Sequence, residues 1–142
     1  MNDCPLCNGD GGIAVYRDDV LRVIRVEDAD FPAYYRVVWN RHVAELTDLA
    51  PDQRVKLIDT VATVETTLRT HLVPDKINLA SLGNMVPHLH WHVIARFAWD
   101  SHFPNAIWGQ RERDPVPAAA SRLPLELTAL DARLRGALVS GA

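Results

Sequence analysis

Hydrophobic and polar positions change rhythm several times along the chain, and each rhythm predicts an element. Ile13-Ala14-Val15-Tyr16 and the run Val20 to Val26 lie on either side of Arg17-Asp18-Asp19, which predicts a β-hairpin. An acidic stretch follows, Glu27-Asp28-Ala29-Asp30, and then Tyr34 to Trp39, aromatic and β-branched, predicts a third strand. Thr47 or Asp48 can cap a short turn around Leu46 and Leu49. From Pro51 the spacing lengthens. Leu57, Val61, Val64, Leu68 and His71 or Leu72 recur every three or four residues, one helical face widened by Val55, Ile58 and Ala62. Pro51 suits a first helical position, Asp52 suits the positive end of the helix dipole, and Pro74 ends the helix. Lys76 to Leu82 predicts a fourth strand, Gly83 to Pro87 a turn, and His88 to about Phe97 a fifth strand. Beyond Asp100 the chain is broken by Pro104, Gly109, Pro115 and Pro117. Leu127, Leu130, Leu134 and Leu138 then predict a short amphipathic C-terminal helix, with Pro124 near its start. The sum is an α+β fold: an antiparallel sheet of about five strands, one long helix packed on it, and a short C-terminal helix. The expected organisation is one domain over residues 1–142, with a core of about 4–100 and a C-terminal extension of about 101–142.

Composition narrows the function classes. The chain has 142 residues, 15 basic and 18 acidic side chains and a formal net charge of −3. That balance argues against a nucleic-acid protein working by bulk charge. No apolar run reaches the roughly 18 residues of a membrane span, so no membrane partner is expected. Met1-Asn2-Asp3-Cys4 lacks a positive segment followed by an apolar stretch, so no secretory signal is read and the expected location is cytoplasmic. In that compartment the two cysteines are thiols or metal ligands rather than a disulfide.

The densest chemistry lies in the fifth strand. Three of the six histidines fall in His88-Leu89-His90-Trp91-His92-Val93-Ile94. With a period of two, His88, His90 and His92 share one face, and Leu89, Trp91, Val93 and Ala95 face the core. Three histidines in a row are hard to bury, because each ring needs a partner. An exposed polar face and a bare metal site are the competing readings, and nucleophilic catalysis is preferred.

The pattern His-φ-His-φ-His-φ-φ, φ being apolar, resembles the signature of the histidine-triad (HIT) superfamily of nucleotide hydrolases and transferases, and within it the bacterial Hint-like and diadenosine polyphosphate hydrolase-like proteins. Upstream residues extend the resemblance. Asn78, Gly83, Asn84 and Val86 stand where members carry an Asn, a Gly-rich turn, a Gln and a small apolar residue, so Asn84 replaces the usual Gln. Pro32 to His42 is similar to the family's strand ending in a histidine, and the likeness runs from about Cys4 to Phe97.

The resemblance implies hydrolysis, or nucleotidyl transfer, at the α-phosphate of a dinucleoside polyphosphate or nucleoside phosphoramidate. It implies that His90 attacks phosphorus and forms a nucleotidyl-histidine. His92 would hold phosphate oxygens or aid the leaving group. His88 would support His90, with His42 behind it, and Asn84 would donate to a phosphate oxygen. Asn78 would orient phosphate or ribose. Asp28, or Glu27, would hold the ribose hydroxyls, a solvated acidic loop being the competing reading. No cofactor is required for this chemistry. Cys4-Pro5-Leu6-Cys7 has the spacing of a zinc half-site, and the resemblance implies a structural zinc held by Cys4, Cys7, His42 and His88, against a reduced, unligated pair. It also implies a homodimer. A non-catalytic nucleotide- or metal-binding HIT-like protein is the alternative. His71 reads as structural and His102 as a surface residue. Trp39 and Trp91 read as core or interface, while Trp99 and Trp108 are able to cover a base or to pack against a partner.

Overall fold

The structure is a computed structural model that describes residues 3–141. Five strands form one sheet: β1 (Ile13–Arg17), β2 (Leu21–Arg25), β3 (Tyr34–Trp39), β4 (Lys76–Ala80) and β5 (His90–Arg96). Their order is β1-β2-β3-β5-β4, and every neighbouring pair is antiparallel. A four-residue helix, α1 (Pro5–Asn8), precedes the sheet, α2 (Pro51–Leu72) lies between β3 and β4, and α3 (Leu127–Val139) closes the chain. The expected antiparallel α+β architecture is the one found. No described helix is long and apolar enough to cross a membrane.

Alternation assigns the two faces of the sheet. Leu21 and Val23 of β2, Tyr35, Val37 and Trp39 of β3, and Val93 and Ala95 of β5 join Leu57, Val61, Val64 and Leu68 of α2 in the main core, all buried. Leu130 and Leu134 of α3 are fully buried in the same cluster. The residues beyond 100 thus contribute to the principal core. A polar network enters this face. Arg25 donates from Nε to both oxygens of Asp131 at 3.0 and 3.1 Å, and the Tyr35 hydroxyl donates to Asp131 Oδ1 at 2.7 Å. Burial, with the carboxylate beside it, pushes the Tyr35 phenol far up. The network tethers α3 to the sheet.

Loop chemistry sets the connections. Asp18 turns β1 into β2 by accepting the main-chain N–H groups of Val20 and Leu21 at 2.9 Å each. Burial opposes ionisation of Asp18, but these bonds and those from Lys56 and Tyr16 win and hold its carboxyl down to about 2. Gly12 is required by space: a Cβ there would lie 2.5 Å from the Arg25 carbonyl oxygen. After α2, Val73 adopts a left-handed conformation (φ 47°) as the chain turns into Pro74.

The fifth strand is shorter than its sequence predicts. His88 lies in a bend and regular pairing begins at His90, opposite Val38. The His88 N–H bonds to the carbonyl oxygen of Val86, two residues back, so the backbone is still turning at that point.

Candidate active site and metal centre

The other face of the sheet carries the polar chemistry. Ile24 of β2, Tyr34, Arg36 and Val38 of β3, and His90, His92, Ile94 and Arg96 of β5 share this face by the register of pairing. The three triad histidines are all buried. The expectation that three such rings resist burial is met by giving each ring a partner.

The partners also assign the protons. His90 Nδ1 lies 2.6 Å from the main-chain oxygen of His88, which can only accept. Nδ1 therefore carries the proton and Nε2 holds a lone pair. His88 Nε2 lies 2.6 Å from the Trp39 carbonyl oxygen, so its proton is on Nε2 and Nδ1 is free to bind. His92 is the reverse of His90. Its Nδ1 receives the Tyr34 hydroxyl at 2.9 Å and Arg36 Nε–H at 3.4 Å, and Arg36 Nη2 donates to the Tyr34 oxygen at 3.3 Å. That leaves the proton of His92 on Nε2, ready to be donated. One ring offers a lone pair and its neighbour, 5.0 Å away between centroids, offers a proton for hydrogen bonding.

Burial is the main cause that lowers the pKa of all three histidines. For His92 the Arg36 cation and then His90 add to burial and bring it down to about 4. For His90 the bond to the His88 carbonyl opposes the burial, and Arg36 reinforces it. Both rings are neutral at pH 7.

His90 and His92 open into a cavity of about 340 Å³, within the range of small-molecule sites. Its polar lining includes Asn84 and Arg36, and its apolar lining includes Leu6, Val86 and Trp108. The Trp108 ring meets His92 edge-on at 5.2 Å. It is held there by a loop anchored on Arg96, which donates to Asp100 at 2.8 and 3.1 Å and to the Asn105 carbonyl oxygen at 2.7 Å.

The site residues expected from the sequence divide into three groups. His90, His92 and Asn84 line the cavity. The His88 ring turns away from it, towards Cys4, Cys7 and His42, and reaches His90 through its carbonyl oxygen. Asn78 and Asp28 are not among the lining residues. Asn78 accepts a bond from Arg96 Nη1 at 2.7 Å, and Asp28 caps its own loop by accepting from Asp30 and Phe31 N–H. Glu27 is exposed. Trp99 stacks on Phe97 at 4.7 Å beneath Arg122, away from the cavity. Arg36 and Tyr34 were not foreseen as site residues. Alternation in β3 carried the signal: an arginine two residues from Val38 and two from Tyr34 shares the histidine face.

Beside the cavity, Cys4, Cys7, His42 and His88 place one ligand atom each within 4.8 Å of all the others. Cys4 Sγ and Cys7 Sγ lie 3.3 and 3.4 Å from His88 Nδ1, Cys7 Sγ 3.3 Å from His42 Nδ1, and the two Nδ1 atoms 3.2 Å apart. A tetrahedral zinc with Zn–N and Zn–S bonds of ~2.1 and ~2.3 Å has ligand–ligand edges of roughly 3.3–3.8 Å, so this donor set fits the ion. The His88 Nε2–H bond to Trp39 is the outer-shell contact that aims Nδ1 inward. Buried Arg22 ties the cysteine segment to the sheet through the carbonyl oxygens of Leu6, Gly9 and Asp10.

Comparison with known proteins agrees with this geometry. The sequence pattern of the HIT domain matches residues 11–99. A histidine triad protein from Bradyrhizobium japonicum is 29% identical, with 89% of this chain and 90% of that one covered and a TM-score of 0.72. One from Marinobacter aquaeolei VT8 is 25% identical over 94% and 93%, with a TM-score of 0.73. A zinc-bound histidine triad family protein from Mycobacterium smegmatis, 20% identical over 97% and 94%, has the same fold with a TM-score of 0.60. Among curated protein sequences, none matches the chain.

Proposed function

The chain belongs to the HIT family, and on that premise we propose that it is a nucleotide hydrolase or nucleotidyl transferase that cleaves at the α-phosphate of a dinucleoside polyphosphate or nucleoside phosphoramidate. The observation that carries the reading is the opposed protonation of His90 and His92 at one cavity. In the first step the Nε2 lone pair of His90 attacks phosphorus. The bond from phosphorus to the leaving oxygen or nitrogen breaks; the leaving atom keeps the electron pair, takes its proton from solvent, and is steadied by a hydrogen bond from His92 Nε2–H. In the second step water attacks the nucleotidyl-histidine. The phosphorus–nitrogen bond breaks and returns the electron pair to His90, while the water's proton is released to solvent. An acceptor other than water would give transfer by the same route. Asn84 is exposed and can donate a hydrogen bond from its side-chain amide to a phosphate oxygen. The cavity lining gives Asn78 and Asp28 no direct contact with a phosphate bound there.

Cys4, Cys7, His42 and His88 would hold a structural zinc, which supplies a clamp on the N-terminal segment and no chemistry at phosphorus. The reading includes a homodimer. Support comes from β4, which ends the sheet with one side unpaired among the described residues, from exposed Leu79 on it, and from exposed Leu82 just beyond it.

Replacement of His90 by Gly tests the central role. With adenosine 5′-phosphoramidate and diadenosine polyphosphates as substrates, we expect a loss of at least ~10³-fold in kcat with folding and nucleotide affinity retained. Acid-quenched wild type should carry a nucleotidyl group on His90 by mass spectrometry. Unchanged turnover in the variant would overturn the mechanism, and a wild type that binds nucleotide without cleaving it would establish the non-catalytic alternative. Sedimentation velocity reads the oligomeric state, and a monomer at micromolar concentration removes the dimer.

A further inference from the structure

Four arginines lie within β2, β3 and β5, and three of them meet a carboxylate or main-chain carbonyl oxygens. Arg25 has the Asp131 carboxylate, Arg96 has Asp100 together with Asn78 and the Asn105 carbonyl, and Arg22 has three main-chain carbonyls and Asn40 Oδ1. Arg36 is the exception. Its partners are a neutral imidazole nitrogen and a phenol oxygen, at 3.4 and 3.3 Å, and the Tyr34 ring, whose centroid lies 5.4 Å from the guanidinium carbon. Two of its five N–H groups are used, and no carboxylate among the described residues pairs with it.

A half-buried guanidinium cannot escape its charge by losing a proton, so it needs an anion or strong acceptors nearby. The cavity supplies the setting. Arg36 is the one charged residue in the lining, beside His90, His92 and Asn84, with no acid present. The opening therefore has a single fixed positive charge next to the atoms built for phosphoryl chemistry. On its other side Arg36 faces Ile24 across the sheet, which offers it no polar partner.

We propose that Arg36 is a further working residue of this site: its guanidinium holds a non-bridging oxygen of the bound phosphate, and its Nε–H, with the Tyr34 hydroxyl, keeps the His92 proton on Nε2. The assignment rests on the reading of the cavity as a nucleotide site and deepens it. Groups facing His92 are Arg36 and Tyr34 from β3, His90 from its own strand, and the uncharged Trp108 ring from the loop. Arg36 therefore does two things at once. It attracts the phosphate, and it makes a second proton on His92 unfavourable, so His92 meets its substrate as a neutral donor.

The test uses binding rather than turnover. AMP and adenosine are titrated by calorimetry into the full-length wild type, Arg36→Met and Arg36→Lys. Arg36→Met should weaken AMP by about 10- to 100-fold, as expected for loss of a charge-assisted contact, and leave adenosine within about twofold. Arg36→Lys should recover most of the AMP affinity, because the charge returns. The second readout is the ¹⁵N spectrum of His92: Nε2–H in the wild type, with the Nδ1–H form gaining population in Arg36→Met. Equal weakening of AMP and adenosine would reveal a merely structural arginine and overturn the proposal, as would unchanged AMP affinity or Nδ1–H in the wild type. If Arg36→Met fails to fold, Arg36→Lys decides: near-wild-type AMP affinity with a shifted His92 tautomer supports the proposal, and loss of AMP and adenosine binding together refutes it. The function proposed above fails separately, if the wild type binds AMP through Arg36 yet cleaves no nucleotide.

Discussion

The two faces of the sheet are made by the same strands and solve opposite problems. On the helix side, Val23, Val37, Val93 and their neighbours are satisfied by apolar contact with α2 and α3. Any side chain of suitable volume serves such a face, since the burial is non-directional. On the histidine side, His88, His90 and His92 are buried to a similar degree but are satisfied by specific acceptors and donors from elsewhere in the chain: the Trp39 carbonyl, the His88 carbonyl, Tyr34 and Arg36. Packing tolerates small shifts on the first face. On the second, direction decides which nitrogen holds a proton, and so which ring offers a lone pair and which donates.

This contrast can be broken from either side. The largest stability effects belong to the helix side. Asp131→Asn leaves Arg25 buried beside a neutral group and should cost roughly 3–5 kcal/mol in urea unfolding, and Leu134→Ala should cost about 2–5 kcal/mol. AMP affinity should stay within about twofold in both folded variants. A large loss of affinity would show that the faces are not separable.

Removal of the candidate metal-ligating cysteines is expected to act on both stability and the histidine face. Cys4→Ser with Cys7→Ser should abolish metal binding, measured by plasma mass spectrometry against one zinc per chain in the wild type. Tm should fall by at least ~5 °C, with kcat about tenfold lower because the position of His88 loosens. Unchanged kcat would disconnect the clamp from the nucleophile.

The pH profile sharpens the assignment of roles. Burial lowers the pKa of His90, so its lone pair survives into more acidic solution than that of a free imidazole, whose pKa is about 6.5. The acid limb of kcat/KM should therefore have its midpoint below that value, and a midpoint above it would contradict the burial seen here. The smallest expected effect is Tyr34→Phe, which removes one of two donors to His92 Nδ1 and should lower kcat by about three- to tenfold.

The helix-side face was legible in the sequence because it follows a period. Leu57, Val61, Val64 and Leu68 recur as a helical stripe, and β3 was read to its bounds of Tyr34–Trp39. The identities of His90 and His92 were also legible, since alternate spacing is a local pattern; the two-residue cysteine gap showed half of a metal site, and the family resemblance supplied His42 and His88. Partners contributed by main-chain atoms were not. Nothing in the letters says that the Trp39 carbonyl meets His88, or that His88 bends out of the strand before pairing begins. Arg36 and the Arg25–Asp131–Tyr35 network were missed for a related reason. A charged residue within an apolar run shows which face it takes, but its partner lies up to 106 residues away.

His88 spends its two functional ends on different neighbours: the imidazole on the cysteine cluster, the peptide oxygen on the His90 ring. The oxygen belongs to the backbone, so no amino acid placed at position 88 can delete it. Exchange of the ring would leave the orienting acceptor chemically intact and merely unmoored. Damage there should surface as a wandering nucleophile, slow but still competent, rather than as a dead one.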